Sequence, residues 1–261
     1  MRRALRWASA FAAAVFVYVA YVYVTLPDVR PLVSTNPSTT AFMTLRTREA
    51  QADGREMTIR HRPVAYGQIS SSLKRAVLVA EDSAFFEHEG IDLEQIRASL
   101  EMNWEEGRFA RGASTITQQL AKNLYLSPSR NPVRKLKELL ITRRLEAELS
   151  KRRILEIYLN VIEWGDGIFG CEAASRAYFD KPASALVPSE AALLAGAIIN
   201  PRELNPARPS IRLSRRQQII LRRMRIRAAE STPATPPPRL MPGSASPADR
   251  SAPPSTGAPP A

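Results

Sequence analysis

The chain has 261 residues, of which 44% are hydrophobic, and it carries a formal net charge of +12. This length provides one sizeable core, and we expect no second catalytic domain. The charge favours a polyanionic partner such as nucleic acid, anionic lipid or a pyrophosphate-bearing substrate. Nucleic acid ranks below the lipid options, because aromatic residues make up only 7% of the chain and form no basic-aromatic stripe.

The N-terminal segment predicts a membrane-spanning helix. Residues 8–26, ASAFAAAVFVYVAYVYVTL, carry no charge, and a helix of this length nearly crosses the hydrocarbon core. Three arginines lie in residues 1–7, which predicts a cytoplasmic N-terminus and an exported main domain. A cleaved signal peptide has a similar basic start, but the apolar run here is longer than a typical signal core and lacks a small-x-small site at its end.

Two segments lack the periodicity of packed elements. Residues 27–60 mix Pro, Ser, Thr and charges and are predicted to form a linker. Residues 229–261 are rich in Pro, Ser and Ala and are predicted to form a disordered tail. Between them, residues 61–228 are predicted to fold as one mainly α-helical domain.

Helix-start signals recur within this domain. Asp92 and Gln95 have the spacing of a capping box, and Asn131 stands before a proline at the first helical position. Ser189, followed by a glutamate, opens an apolar run. These signals divide the domain into several short helices.

The first segment that could carry chemistry is EDSAFFEHEGID, residues 81–92. Glu81 follows the apolar run RAVLVA and precedes two phenylalanines, so it is placed to be partly desolvated. Desolvation raises the pKa of a carboxyl group, as a general base working near neutrality requires. The alternative is that Glu81 and Asp82 are ordinary acids at a helix end.

The second segment is RGASTITQQLAKN, residues 111–123. A helix that opens with small residues offers free backbone N–H groups to an anion, and Lys122 adds a full charge. Gln119 shares the face of Lys122, because the two are three residues apart. An N-capped amphipathic helix with a solvated polar face would have the same pattern.

The third segment is RKLKELLITRRLE, residues 134–146. Arg134 and Glu138 fall one helical turn apart beside Lys135. Such cations would keep Glu138 ionised and would also clamp a diphosphate leaving group. A surface salt bridge or a membrane-facing basic surface remains the alternative.

Other polar residues are weaker candidates. The stretch EWGDGIFG contains Glu163 and Asp166, but its glycines indicate mostly scaffold. His61 and His88 have no recognisable metal-ligand spacing, and we interpret each as structural. The sequence therefore assigns no metal ligand.

Taken in order, these segments resemble the family 51 glycosyltransferases, which polymerise peptidoglycan. The resemblance covers residues 70–206 and rests on the successive motifs EDSAFFEHEGID, RGASTITQQLAKN, RKLKELLITRRLE, KRRILEIYLN and GDGIFGCEAASRAYFDKPA. The forms GASTI and EWGDGIFG are most similar to the monofunctional members, and Ala113 is the one notable substitution.

The resemblance implies a lysozyme-like, two-lobed fold whose cleft binds the growing glycan and lipid II. It implies inverting transfer that forms β-1,4 bonds and releases undecaprenyl pyrophosphate, without transpeptidase activity. A divalent cation such as magnesium or manganese fits this chemistry, and no organic cofactor is expected.

The resemblance also assigns roles to individual residues. Glu81 would be the general base and Glu138 the second acid. Lys122, Arg134 and Lys135 would stabilise the pyrophosphate. The softer assignments are Ser114, Gln119 and Asn123 as donor-site contacts, and Asp82 and Phe85 as organisers of the first motif.

The implied location is the inner membrane, with a single span and a periplasmic catalytic domain. The expected partners are lipid II, the glycan strand and the membrane, with cell-wall synthesis or division proteins as candidates. Two rivals stay open at this point: a lysozyme-type glycosidase, which would act on finished glycan, and a non-catalytic membrane-tethered scaffold.

Overall fold

The computed structural model describes residues 2–97, 114–129 and 131–230, and within these ranges the chain is mainly helical, as predicted. The helices are α1 (Arg2–Val24), α2 (Ala41–Ala52), α3 (Ser71–Glu81), α4 (Ile116–Tyr125), α5 (Pro132–Glu148), α6 (Lys151–Val161), α7 (Cys171–Phe179), α8 (Pro188–Ala197) and α9 (Ile211–Glu230). Residues 93–97 are also helical, and short 3-10 helices lie at Arg30–Val33, Tyr66–Gln68 and Ala183–Ala185.

A small sheet joins the N-terminal part of the domain to its middle. Its strands are β1 (Arg60–His61), β2 (Glu163–Gly165) and β3 (Ile168–Phe169). The central strand β3 pairs in parallel with β1 and antiparallel with β2. The sheet thereby ties residues near 60 to the turn that follows α6.

The helices pack in two groups. Helix α3 packs against α8 and α9, whereas α4 packs against α5 and α6. Helix α6 is the centre of the core, because its residues from Ile154 to Val161 are nearly all buried. The end of α3 lies where the two groups meet, and this junction contains the candidate site.

Helix α1 contains a candidate membrane span, Leu5–Val24, with a mean hydropathy of 1.8. Its length and composition are consistent with membrane anchoring. The residues that follow α1 do not leave the domain, since Leu26, Val29 and Leu32 are buried in its core. Arg144 of α5 donates hydrogen bonds to the carbonyl oxygen of Tyr23 at 2.8 Å and to that of Leu26 at 3.3 Å.

The prediction of a linker over residues 27–60 is corrected, because helix α2 lies within this range. Thr40 caps this helix by accepting a hydrogen bond from the Met43 amide at 3.1 Å, and Met43 and Ala50 are its buried residues. The apolar stripe is too narrow to produce a clear helical periodicity, which explains why the sequence pattern missed it. Helix α2 packs against α4, so it is part of the domain.

Of the three predicted helix starts, one is confirmed and two differ in detail. Asn131 caps α5 by accepting from the Val133 amide at 2.8 Å, with the expected proline following it. Asp92 accepts from the Gln95 amide at 2.7 Å, but Gln95 Oε1 has no hydrogen-bond partner within the described residues, so the reciprocal bond of a capping box is missing. Helix α8 begins at Pro188, one residue before the predicted Ser189.

The C-terminal end of the last helix differs slightly from the predicted end of the domain. Helix α9 continues to Glu230, past the predicted domain end at residue 228. The remainder of the predicted disordered tail, residues 231–261, lies outside the described residues.

Candidate active site

Glu81 is the last residue of α3 and lies at the junction of the two helix groups. Gln119 Nε2 of α4 donates a hydrogen bond to Glu81 Oε2 at 2.9 Å. The hydroxyl of Tyr158, which is fully buried in α6, donates to Gln119 Oε1 at 2.8 Å. The Tyr158 bond fixes the orientation of the Gln119 amide, so the Glu81 carboxylate is held from α4 and α6 together.

Burial raises the pKa of Glu81, as the sequence predicts. The Gln119 hydrogen bond and the positive charges of Arg216 and Lys122 act in the opposite direction, whereas Asp82 adds to the increase. The carboxylate is thus a stronger base than an exposed glutamate but keeps favourable partners for its ionised form.

Sequence reasoning missed Arg216 of α9. Its Nε donates to the Gly196 carbonyl oxygen at 3.0 Å, which fixes the guanidinium at the end of α8 near Glu81. Arg216 is one of several arginines in α9, and the sequence pattern does not distinguish it from its exposed neighbours. Only the packing of α9 against α3 identifies it.

Asp82 organises the segment that follows Glu81. It is 1% exposed and accepts hydrogen bonds from His88 Nε2 at 3.0 and 3.1 Å and from the Ile116 amide at 3.0 Å. His88 Nδ1 accepts from the Gly90 amide at 3.0 Å, so the proton of a neutral ring lies on Nε2. Asp82 therefore joins the first motif to the N-terminus of α4.

The prediction of free amides at the start of α4 is corrected. The anion at this helix N-terminus is Asp82 itself, because it binds the Ile116 amide. The Gln118 amide is bound by the hydroxyl of Thr115, the N-cap, at 3.2 Å. Ser114 precedes the cap, and its carbonyl oxygen accepts from Gln119 at 3.5 Å; the predicted opening residues 112 and 113 lie outside the described residues.

Gly90 is held against α5 in a conformation that favours glycine. Its φ is +84°, and an added Cβ would lie 2.7 Å from Thr142 Cγ2 and 2.8 Å from Glu146 Cγ. We expect Gly90→Ala to lower the free energy of unfolding by about 2–4 kcal/mol, from backbone strain plus overpacking. Thermal denaturation would measure this, with Gly54→Ala as the control.

The Gly54→Ala control separates backbone strain from overpacking. Gly54 also has a positive φ, +68°, but has no atom within 4 Å of a built Cβ. Gly54→Ala should therefore cost only the strain, about 1–2 kcal/mol. Equal losses of unfolding free energy at both positions would show that the close contact of Gly90 with α5 contributes nothing to the effect.

The second acid, Glu138, is buried on α5 at 3% exposure. Arg134 Nη1 donates to its Oε2 at 2.5 Å, and Lys135 Nζ donates to its Oε1. The structure thus brings together all three residues that the sequence grouped here. Arg134 Nε is buried and has no hydrogen-bond partner within the described residues, which leaves one donor for a ligand.

The charges of both acids act on Lys122. Burial lowers the pKa of its ammonium group, as do the charges of Arg134 and Lys135, whereas Glu138 and Glu81 both raise it. The ammonium group is therefore within electrostatic reach of both carboxylates. Within the described part of the chain Lys122 forms no ion pair, because Glu138 is already occupied by Arg134 and Lys135.

Asn123 and Phe85, which the sequence assigned less firmly to the site, contact other residues of the domain. Asn123 Nδ2 donates to the Gln119 carbonyl oxygen at 2.8 Å, which places its amide along α4. Phe85 is fully buried, with its ring edge-to-face on Phe86 and Lys151 Nζ 4.5 Å from its centroid. Phe85 therefore packs the first motif against the start of α6.

The weaker candidates form a separate cluster. Arg46 Nε lies 2.8 Å from Glu163 Oε2, and Arg202 Nε lies 3.5 Å from Asp166 Oδ1. Burial raises the pKa of Glu163, and neither this acid nor Asp166 has a contact with Glu81 within the described residues. His61 Nε2 lies 3.0 Å from the Asn160 carbonyl oxygen, a structural contact, as predicted.

One group of residues has the composition of a cation site: Asp82, His88 and Asp92, whose ligand atoms lie within 4.8 Å of one another. Their hydrogen bonds do not fit a metal ion. The protonated Nε2 of His88 faces Asp82, and Asp92 is the cap of residues 93–97. These three residues therefore support the first motif through hydrogen bonds with one another and with the backbone.

The chain is similar in sequence to a group of known proteins. A family model described as Transglycosylase matches residues 49–225. A protein of Aromatoleum aromaticum, named biosynthetic peptidoglycan transglycosylase, is 57% identical over 167 residues, covering 64% of this chain and 73% of the relative. Proteins with the same name from Laribacter hongkongensis and Thiobacillus denitrificans are 51% and 46% identical, covering 72% and 85% of this chain and 83% and 96% of theirs.

Proposed function

Because the chain belongs to the transglycosylase family and is a peptidoglycan glycosyltransferase, we propose that it polymerises glycan strands from lipid II. The proposed reaction is inverting: the 4-hydroxyl of the acceptor sugar attacks the anomeric carbon of the donor. A β-1,4 bond forms, the bond to the α-linked undecaprenyl pyrophosphate breaks, and no peptide cross-link is made.

Glu81 is the proposed general base, and its environment is the observation that carries the proposal. A buried carboxylate with a raised pKa takes a proton more readily than an exposed one, and Gln119 orients it. Glu81 takes the proton of the 4-hydroxyl as the new bond forms. The charge of Arg216 favours the ionised form of Glu81 and so opposes the effect of burial.

The leaving diphosphate is proposed to bind beside Lys122 and Arg134. Among the described residues, Lys122 forms no ion pair, and Arg134 Nε is a buried donor without a hydrogen-bond partner. Donors of this kind stabilise charge that develops on a leaving group. Glu138 orients Arg134 and Lys135, and Ser114, Gln119 and Asn123 are proposed to line the donor side.

A divalent cation such as magnesium or manganese would enter with the substrate in this proposal. Magnesium commonly binds substrate phosphates and few protein carboxylates, and both acids of the site already have partners. Polymerisation measured with each ion and with a chelator would test this.

The proposed location is the inner membrane, with α1 as a single span and the catalytic domain in the periplasm. The support is the apolar span Leu5–Val24 and the arginines before it. Lipid II and the growing strand would then be reached at the membrane surface. Cell-wall synthesis or division proteins are further candidate partners.

The test is polymerisation of labelled lipid II by the full chain in detergent. We expect a product that a muramidase degrades, with one undecaprenyl pyrophosphate released for each bond formed. Product without this release, or a product that resists the muramidase, would contradict the proposed chemistry.

The pH dependence should reveal the influence of Arg216. The base must be ionised, so the rate should rise with pH through the pKa of Glu81, which lies above its ordinary value of 4.5. Arg216→Gln removes a charge that lowers this pKa, so the acid limb of kcat/KM should move to higher pH. Arg215→Gln, at an exposed neighbour on α9, should leave the limb in place.

A further inference from the structure

Phe42, near the start of α2, lies beside Lys122. The ring is half-buried, and its centroid is 5.8 Å from Lys122 Nζ and 5.9 Å from the guanidinium carbon of Arg46. Phe42 and Arg46 are one helical turn apart. The family model matches residues 49–225, which include Lys122 but neither Phe42 nor Arg46.

Arg46 fixes the helix that carries the ring. Its Nε lies 2.8 Å from Glu163 Oε2 in β2, and its Nη1 lies 2.8 Å from Glu49 Oε2. Glu163 is only 6% exposed, so this ion pair anchors α2 to the sheet rather than to a mobile surface side chain. The position of Phe42 is therefore set by contacts independent of the substrate.

A phenyl ring and a carboxylate would affect Lys122 differently. The face of a ring attracts an ammonium group within about 6 Å of its centroid, but it accepts no conventional hydrogen bond. A carboxylate in the same place would occupy one or two of the three N–H donors. Within the part of the chain that the structure describes, no carboxylate forms an ion pair with Lys122, so its N–H groups are available to phosphate oxygens.

We propose that Phe42 is a positioning residue that holds the Lys122 ammonium group for the diphosphate of the donor. This inference rests on the proposed function, because it assigns the diphosphate to Lys122. It extends the site to α2, a segment that the sequence pattern predicted to be a linker.

The test uses binding of undecaprenyl pyrophosphate to the full chain in detergent, together with lipid II polymerisation. Phe42→Leu keeps apolar bulk but removes the ring, and we expect it to weaken binding about fivefold. Phe42→Tyr keeps the ring face and should bind within about twofold of the original chain. Leu45→Ala, a half-buried apolar change on the same helix, is the control and should also have little effect.

A double-mutant cycle separates positioning from general packing. In a Lys122→Ala background, Phe42→Leu should weaken binding no further, because its effect passes through Lys122. An equal loss in both backgrounds would overturn the inference. If Phe42→Leu lowers the thermal midpoint, Phe42→Met, whose flexible unbranched side chain fills irregular gaps, takes its place in the cycle.

The outcomes also separate this inference from the proposed function. Polymer formation by the original chain, with no loss of binding in Phe42→Leu, would overturn the role of Phe42 alone. A folded chain that neither polymerises lipid II nor binds undecaprenyl pyrophosphate would overturn both.

Discussion

Glu81→Gln should lower the rate of lipid II polymerisation by about a thousandfold, a loss typical of a positioned general base. Glutamine keeps the size of the side chain and can still bond Gln119, but it cannot take the proton of the attacking hydroxyl. Steady-state rates with labelled lipid II at neutral pH would measure the effect.

The same substitution should not destabilise the fold at neutral pH. The pKa of Glu81 is raised in the folded state, so its contribution to stability is complete below its unfolded value and is lost as pH rises through the folded value. A neutral amide avoids this loss, and the thermal midpoint should stay equal or increase. Glu89→Gln, at an 87% exposed acid of the same segment, should change neither the rate nor the midpoint. A Glu81→Gln chain that polymerises at more than a tenth of the original rate would contradict the assignment.

Glu138→Gln should reduce both stability and activity. The acid is buried, and its removal leaves Arg134 and Lys135 without their carboxylate partner. Breaking a fully buried pair costs about 3–5 kcal/mol, but Lys135 is 45% exposed, so we expect about 1–3 kcal/mol after solvent screening. The thermal midpoint should fall by about 3–8 °C.

The activity of Glu138→Gln should fall by about a hundredfold, because the cations would no longer be oriented toward the diphosphate. Glu156→Gln is the matched control, since Arg153 Nη1 lies 2.5 Å from Glu156 Oε1 in another partly buried pair. It should lose stability but retain polymerisation at a temperature where both variants are folded. Equal activity losses in the two variants would assign Glu138 to folding alone.

The sequence predicted the contacts of Glu138 with Arg134 and Lys135 because the three residues lie close together along the chain. Arg134, Lys135 and Glu138 fall within two turns of one helix, so helical spacing alone predicted their contact. The mainly α-helical class followed from periodicity and caps in the same way. The site roles of these residues stay predictions, which the proposed experiments test.

The remaining features depend on contacts between distant segments. Arg216 approaches Glu81 only because α9 packs on α3, and Phe42 approaches Lys122 only because α2 packs on α4. The amides at the start of α4 were predicted to be free, but Asp82 accepts a hydrogen bond from one of them, the Ile116 amide, 34 residues away in the sequence. Single-sequence spacing contains no information on such approaches.

The direction of the reaction is tested by supplying labelled lipid II and purified glycan strands to the full chain in separate reactions. We expect muramidase-sensitive polymer from lipid II and no shortening of the finished strands. Shortened strands, with no polymer from lipid II under conditions where the protein is folded, would contradict this expectation and indicate a glycosidase.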